Sequence, residues 1–515
     1  MTRLVVVGNG MVGARFVEDV LAADTAGRFD ITVLGDEACE PYNRVLLSEV
    51  VAGRYDVATL TLPSPSDSRL RVRRGHAAIH LDRVDRVVVT ADGERHRYDQ
   101  VVLATGASAR IPALGGLPGS GASDLPAGLH ALRTIDDARE IVAATLNASR
   151  AVVLGAGVLG LEAACGLARR GVRVTVVHPA PALMERQLDD AASRVVESVM
   201  GSLGIDHRVG VGADAVVVRD QRVHGVRLAD GETIEAGLLV VAAGTIANTR
   251  LAADAGLTTA RGIVVDEALA SPDDRRVFAI GDCAQPPEGG SGLVAQGWEQ
   301  SRRLAALLTG TTTDARVPGG IGAEASDPTD VVRLKAHGLD VVTMGVCGSQ
   351  RADDPAQRTL RLSDPDIGRH VEVVVSGGTL VGATCVGAGQ VAADLVAAYT
   401  RRTPVPGDPA HLLLPVLTGM PAHGPSDPAD LADEATICRC NGVSKAAIRS
   451  SVHDGADSLE QVAARTRAST GCGGCAEDVC SLLESFRTSR PGPPTGENRF
   501  TQGKHETTNA EIGAT

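Results

Sequence analysis

Aromatic side chains are nearly missing from this 515-residue sequence: one Trp, four Tyr and five Phe make up 2% of it. Proteins that stack single-stranded nucleic acid need aromatic platforms, so the composition argues against that class. A formal charge of −13 argues against a polyphosphate partner as well. Lysine is equally rare, with Lys335, Lys445 and Lys504 alone among 50 basic residues. No run of 18 uncharged apolar residues occurs, so no membrane span is expected. The apolar start Leu4–Val7 is too short for a signal-peptide core, and a cytoplasmic location is the default expectation. Ten cysteines in so long a chain form no disulfide framework; where they cluster, they point to metal or redox work.

What is abundant is Gly, 59 residues of it, between short runs of Val, Leu, Ile and Ala. At roughly 100–200 residues per domain, the length predicts three or four domains. One pattern occurs twice. The apolar run Leu4–Val7 leads into Gly8-Asn9-Gly10-Met11-Val12-Gly13, a helical stretch, and a second strand Ile31–Leu34 ending at Asp36 and Glu37. Further on, Ala151–Leu154 leads into Gly155-Ala156-Gly157-Val158-Leu159-Gly160, a helix, and a strand ending in His178. Each is a βαβ unit with glycines at its first strand-to-helix turn, the pattern that seats a pyrophosphate on a helix N-terminus. One such motif is weak evidence; two, each between a strand and a helix, are much stronger. A carboxylate at the end of the second strand can accept hydrogen bonds from a ribose, and either Asp36 or Glu37 can serve. At the second unit His178 stands where an acid is usual, so the choice between NADH and NADPH stays open.

Three more apolar strands close on small-residue turns: Val101–Leu103 before Ala104-Thr105-Gly106, Leu239–Val241 before Ala242-Ala243-Gly244, and Val277–Ile280 before Gly281-Asp282. With these, residues 2–308 resemble the two-dinucleotide flavoproteins that include pyridine nucleotide-disulfide, ferredoxin and rubredoxin reductases. The resemblance implies FAD at Gly8, Gly10, Met11, Val12 and Gly13, and NAD(P)H at Gly155, Gly157, Val158, Leu159 and Gly160 in an inserted domain, with His178, Ala243 and Gly244. It also implies that Ala104, Thr105, Gly106, Gly281 and Asp282 line the FAD. Tyr42-Asn43-Arg44-Val45-Leu46-Leu47-Ser48 resembles the family's Pro-Tyr-x-Arg-x-x-Leu-Ser segment, which places Arg44 and Ser48 at the same cofactor. Glu162 matches a family glutamate near the flavin–nicotinamide junction and is the candidate catalytic residue. Ferredoxin reductases pair that glutamate with a lysine after Leu-Ser, but Glu49 stands here. Trp298 lies near the flavin in relatives or is a core residue. Disulfide reductases carry two cysteines on the helix after the second strand; only Cys39 lies in that region, so electrons need another exit.

That exit is Cys438-Arg439-Cys440 followed, after 31 residues, by Cys472-Gly473-Gly474-Cys475. Four thiolates in two close pairs make a metal site, and glycine amides beside them can hydrogen-bond to sulfur. Zinc competes for such sets. The spacing resembles the bacterioferritin-associated-ferredoxin-like (BFD-like) [2Fe-2S] domain.

The expected fold is α/β. A FAD domain of residues 1–115 and 245–310 holds an inserted NAD(P) domain of 116–244, both Rossmann-like. A small α/β domain at 311–402, of the kind that mediates homodimers in such reductases, comes next. A linker at 403–434, a small helical BFD-like domain at 435–490 and a disordered tail at 491–515 complete the chain. The whole resembles the reductase part of the assimilatory NAD(P)H nitrite reductase large subunit and the electron-transfer subunit of assimilatory nitrate reductase. Only about 40 residues follow Cys475, and no further cysteine cluster, so no sirohaem module is expected. The resemblance implies a separate electron-accepting subunit: a molybdenum nitrate reductase first, a sirohaem nitrite reductase second, a ferredoxin or rubredoxin third. A redox- or iron-sensing interaction protein is the alternative of another class.

Overall fold

A computed structural model describes residues 1–117, 125–311, 330–348, 354–414, 416, 428–438, 443–470 and 475–488. Cys440, Cys472 and the tail from 491 lie outside the described residues.

The first sheet is built around β1 (Thr2–Val7), whose last four residues are all buried, as a strand flanked on both sides must be. Parallel to it run β2 (Phe29–Gly35) on one side and Gln100–Leu103 on the other, with Leu4 opposite both Ile31 and Gln100. β3 (Leu70–Arg74) extends the sheet past β2, while Asp274–Ala279 and Ala270–Ser271 extend it past Gln100–Leu103. The helix α1 (Met11–Ala23) follows β1 and packs beside the helix Val294–Thr309. The short helix α2 (Leu47–Val51) belongs to this unit's Tyr42–Ser48 segment.

The second sheet repeats the plan with five parallel strands in the order Ile205–Val209, Arg173–His178, Arg150–Leu154, Leu238–Val241 and Leu129–Ala131. Its helices are α3 (Ile135–Ala144), α4 (Val158–Arg169) and α5 (Asp190–Ser202). Two short strands, Ala107–Ala109 and Thr245–Ala247, pair antiparallel where the chain leaves for this unit and returns from it. Asn248 braces the crossing: its amide donates to the Thr105 carbonyl at 2.8 Å, and its own carbonyl accepts from the Thr105 hydroxyl at 2.7 Å.

A third sheet of five antiparallel strands follows, in the order Val332–Ala336, Leu339–Gly345, Thr379–Val386, Arg369–Ser376 and Gln357–Asp364. The helix Gly389–Arg401 covers it. The sequence patterns foresee every strand here except Gln357–Asp364, an edge strand whose residues are half-buried or exposed along its whole length. Leu413 and Val416, in the segment read as linker, are buried in this sheet's core. Last comes a small domain: a hairpin of Thr436–Cys438 with Val443–Ser444 and the helices Lys445–His453, Leu459–Thr466 and Ala476–Thr488. Among the described residues no helix is long and apolar enough to cross a membrane.

Candidate cofactor-binding site

The two glycine turns are shaped by the same backbone clashes. Gly8 has φ +115°, and a Cβ there would lie 2.1 Å from the Ala104 carbonyl oxygen; a Cβ on Gly13 would lie 2.0 Å from the Gly8 carbonyl oxygen. At the second turn Gly155 has φ +117° with Ala242 O at 2.3 Å, and Gly160 meets Gly155 O at 2.0 Å. The middle glycines face open space instead: nothing lies within 4 Å of a Cβ on Gly157, and only Arg44 Nε, at 4.0 Å, near one on Gly10. Gly10 and Gly157 are the N-caps of α1 and α4, which have no side-chain cap and no acid in the first turn. The contrast with the neighbouring helices is sharp, because α3 starts on a Thr134/Asp137 capping box and α5 on an Asp189 cap. Only α1 and α4 of these four present bare first-turn amides beside a glycine cradle, which fits a dinucleotide pyrophosphate at each.

Around the first cradle the polar groups form a network. Glu37 accepts the Tyr42 hydroxyl at 2.7 Å and pairs with the Arg44 guanidinium, which lies over the Tyr42 ring at 4.7 Å. Glu37 is thereby committed to protein partners, and Asp36 remains the exposed carboxylate at the strand end. Arg133 escaped the sequence reading. It donates to Asp282 at 2.7 Å and to the Ala107 carbonyl at 2.8 Å, while its own carbonyl accepts from Arg44 at 3.2 Å. Its one sequence signal is its place just before the capping-box helix α3. Val12 packs onto Gly281 and Gly297, whose Cβ would come within 2.5 Å of it. Met11 is buried, Gly106 turns at φ +66° in open space, and Trp298 is 3% exposed beneath Arg15, a core position.

At the second cradle His178 closes the strand. Its Nδ1 accepts the Ala156 N–H at 3.3 Å, and its Nε2 lies 2.9 Å from the Glu185 carboxylate. An acid thus does reach the strand end, seven residues later than the pattern places one. Val158 and Leu159 are half-buried on the first turn of α4, and Ala243 and Gly244 (φ +95°) close the neighbouring strand.

The two units meet through α2 and α4. Arg170 donates to the Val50 and Val51 carbonyls, satisfying the C-terminal end of α2. Glu162, 8% exposed, accepts the Ser48 hydroxyl at 2.7 Å and the backbone N–H of Lys335 at 3.0 Å. Burial pushes its carboxyl up to about 7. No lysine follows Leu47-Ser48, yet one arrives from the C-terminal sheet; its rarity in an arginine-rich chain is the only signal that marks it.

In the small domain Cys438 and Cys475, two of the four expected ligands, are buried in one core with Ile448, Val462 and Val479. Soft thiolates in that pattern fit an iron–sulfur cluster. This domain touches the first unit: the Asn43 amide donates to the Thr470 carbonyl at 2.8 Å, and Arg467 pairs with Glu18 of α1. Cys39, half-buried with its thiol pushed up by burial and by Glu37, has no second thiol on α2.

Comparison with known proteins agrees with this geometry. Residues 2–301 match the pyridine nucleotide-disulphide oxidoreductase family, and residues 436–485 match the BFD-like [2Fe-2S] binding domain. The chain is 32% identical to nitrite reductase [NAD(P)H] of Bacillus subtilis over 94% of its own length and 57% of the relative's. It is 29% identical to the assimilatory nitrate reductase electron transfer subunit of the same organism, over 97% and 61%. The chain therefore spans about three fifths of these relatives. The crystal structure of the covalent putidaredoxin reductase–putidaredoxin complex superposes with a TM-score of 0.68 at 25% identity, over 81% of this chain and 98% of that one. The two family matches imply FAD, NAD(P)H and a [2Fe-2S] cluster as the cofactors. With two matching cradles in the first 301 residues and a cysteine-bearing module beyond them, the chain belongs to the pyridine nucleotide-disulphide oxidoreductase family and carries a BFD-like [2Fe-2S] domain at residues 436–485.

Proposed function

We propose that this protein is the electron-transfer subunit of an assimilatory nitrate reductase, oxidising NAD(P)H and feeding a separate molybdenum-containing catalytic subunit in the cytoplasm. The observation that carries the reading is the contact of Asn43 with Thr470, which ties the loop before Cys472 to the segment that contains Arg44. Bound FAD would supply the exchange between a hydride equivalent and single electrons, and a cluster held by the four cysteines would supply one-electron transfer.

The residues divide the remaining work. Gly8, Gly10, Gly13 and the α1 amides, with Arg44, would hold the FAD pyrophosphate, Asp36 would accept from a ribose, and Asp282, held by Arg133, would accept from the ribityl hydroxyls. Gly155, Gly157 and Gly160 hold the nicotinamide dinucleotide. Glu185 stands at the ribose end of that site, where its charge disfavours a 2′-phosphate and so favours NADH. Cys438, Cys440, Cys472 and Cys475 ligate the cluster. The domain boundaries expected from the sequence are part of this proposal.

A sirohaem nitrite reductase subunit is the second candidate acceptor, favoured by the 32% identity to nitrite reductase [NAD(P)H]. The test supplies the holoprotein with each purified catalytic subunit and follows NADH. Oxidation that becomes nitrate-dependent with the molybdenum subunit is the expected result. Dependence on nitrite alone moves the assignment to the second acceptor, and stimulation by neither overturns both.

A further inference from the structure

A further cluster of metal-ligating side chains lies outside both cradles and the cysteine module. The turn after β3 is fixed beside the strand end that carries Asp36. There the Gly75 N–H donates to the Glu37 carbonyl at 3.0 Å, and the His76 N–H to the Gly35 carbonyl at 2.7 Å. Three antiparallel strands follow, Ala78–Asp82, Val87–Thr90 and Arg95–Arg97. The turn between the last two is closed by the Thr90 N–H on the Glu94 carbonyl at 3.0 Å, with Gly93 at φ +85°. The Ala91 N–H reaches the Ala77 carbonyl at 2.9 Å, which brings this turn against His76. Glu94 and His96, two residues apart in extended chain, share a face.

One ligand atom each from His76, Asp92 and Glu94 lies within 4.8 Å of the other two. His76 Nδ1 is 2.8 Å from Asp92 Oδ2, and His96 Nε2 is 3.5 Å from Glu94 Oε2. Ligands about 2.0–2.1 Å from a tetrahedral ion lie about 3.3 Å apart, a spacing that these two distances bracket. Both ring nitrogens are shielded from solvent, yet neither has a hydrogen-bond partner among the described residues. Shielded polar atoms are nearly always hydrogen-bonded, so two bare nitrogens in one place call for a cause. The carboxylates are already oriented. Asp92 Oδ1 accepts the Thr90 hydroxyl at 2.5 Å and the Glu94 N–H at 3.4 Å, which leaves Oδ2 towards His76. Arg73 Nη2 sits 2.8 Å from both Glu94 oxygens and leaves each a further lone pair. Such hydrogen bonds on the far side of a ligating group hold it in place for a metal.

We propose that His76, Asp92 and Glu94, with His96 as the fourth ligand, form a second metal site that takes a divalent ion of borderline softness, Zn²⁺ first. Two imidazoles and two carboxylates suit such an ion, whereas an all-oxygen set would select Mg²⁺ or Ca²⁺ and a thiolate set an iron–sulfur cluster. The site is therefore chemically distinct from the four cysteines. A bound ion ties the turn after β3 to the hairpin that carries Asp92, next to the strand end with Asp36. None of this depends on which acceptor takes the electrons.

The test dialyses the full-length, cluster-loaded protein against Zn²⁺ and measures zinc and iron per chain. One added zinc with unchanged iron is the expected result, and zinc-edge X-ray absorption is expected to show nitrogen and oxygen neighbours at about 2.0–2.1 Å. In competition with a chromogenic chelator, His76→Ala and Asp92→Asn are each expected to weaken binding about 100-fold. His130→Ala removes a histidine that is hydrogen-bonded to Glu140 at 3.2 Å elsewhere in the chain, and is expected to leave zinc binding unchanged. A protein that retains no added zinc overturns the site, as do sulfur neighbours at about 2.3 Å, which would put the ion among the cysteines. Binding that survives both His76→Ala and Asp92→Asn, or that falls equally in His130→Ala, overturns it too.

Discussion

At the first cradle Gly8 turns with φ +115°, at the second Gly155 turns with φ +117°, and in each the third glycine would drive a Cβ to 2.0 Å from the first glycine's carbonyl oxygen. What surrounds the two is unlike. The first is ringed by Asp36, Arg44, Arg133 and Asp282, and the outer face of its helix carries Glu18 towards Arg467 of the cluster domain. The second has His178 and Glu185 at its strand end, and its helix turns inward to place Glu162 against Ser48 and Lys335. Backbone sterics make the cradles the same. The packing of each helix's far side sets them apart: α1 carries Glu18 to Arg467 of the small domain, and α4 carries Glu162 to the Ser48 hydroxyl and the Lys335 N–H.

The largest expected effect comes from filling one cradle at a time. Gly13→Ala forces a Cβ into a backbone carbonyl, so the protein is expected to purify without flavin absorbance. Gly160→Ala is expected to keep the flavin and lose NADH-dependent bleaching by about 100-fold or more, the few kcal/mol of an overpacked site. Identical losses in both variants would erase the distinction between the cradles.

The inward face of α4 gives the next effect. The Glu162 carboxyl is raised from its ordinary value to about 7, so the folded protein binds more protons than the unfolded chain between roughly pH 4.5 and 7. Stability therefore falls as pH rises through that window. Glu162→Gln removes the titration and is expected to gain about 3 kcal/mol relative to the parent between pH 5 and pH 8, read by denaturant unfolding of the two proteins side by side. A difference independent of pH would contradict it.

On the outward face of α1, Glu18→Lys is expected to slow cluster reduction about tenfold while flavin reduction is unchanged, with recovery when Arg467→Glu is added. Stopped-flow absorbance separates the two steps; a double variant as slow as the single one would show that the pair does not hold the domain in place. The smallest effect belongs to Glu185→Gln, which is expected to lower the preference for NADH over NADPH roughly fivefold, about 1 kcal/mol, in kcat/KM.

The sequence made the cradles readable because a steric requirement is written locally, as glycine spacing between a strand and a helix. The cysteine pairs are readable for the same reason. Gln357–Asp364 was missed because an edge strand buries too little for alternation to show. Arg133, Glu185 and Lys335 were missed because each acts at a residue far from it in the chain or outside its motif. Lys335 meets Glu162 across 173 positions, and Arg133 meets Asp282 across 149. Where a charge arrives only through tertiary packing, local pattern holds no record of it. Glu37 shows the converse: strand-end position made it a ribose candidate, and the arrival of Tyr42 and Arg44 gave it another task.

The central claim is that nicotinamide electrons reach the cluster within this one chain. An anaerobic titration of the cluster-reconstituted protein with NADH, followed by absorbance and EPR, tests it most directly. Flavin bleaching accompanied by the paramagnetic signal of a reduced [2Fe-2S] cluster is the expected result. Flavin bleaching with no such signal, and zinc found by metal analysis, would contradict the relay.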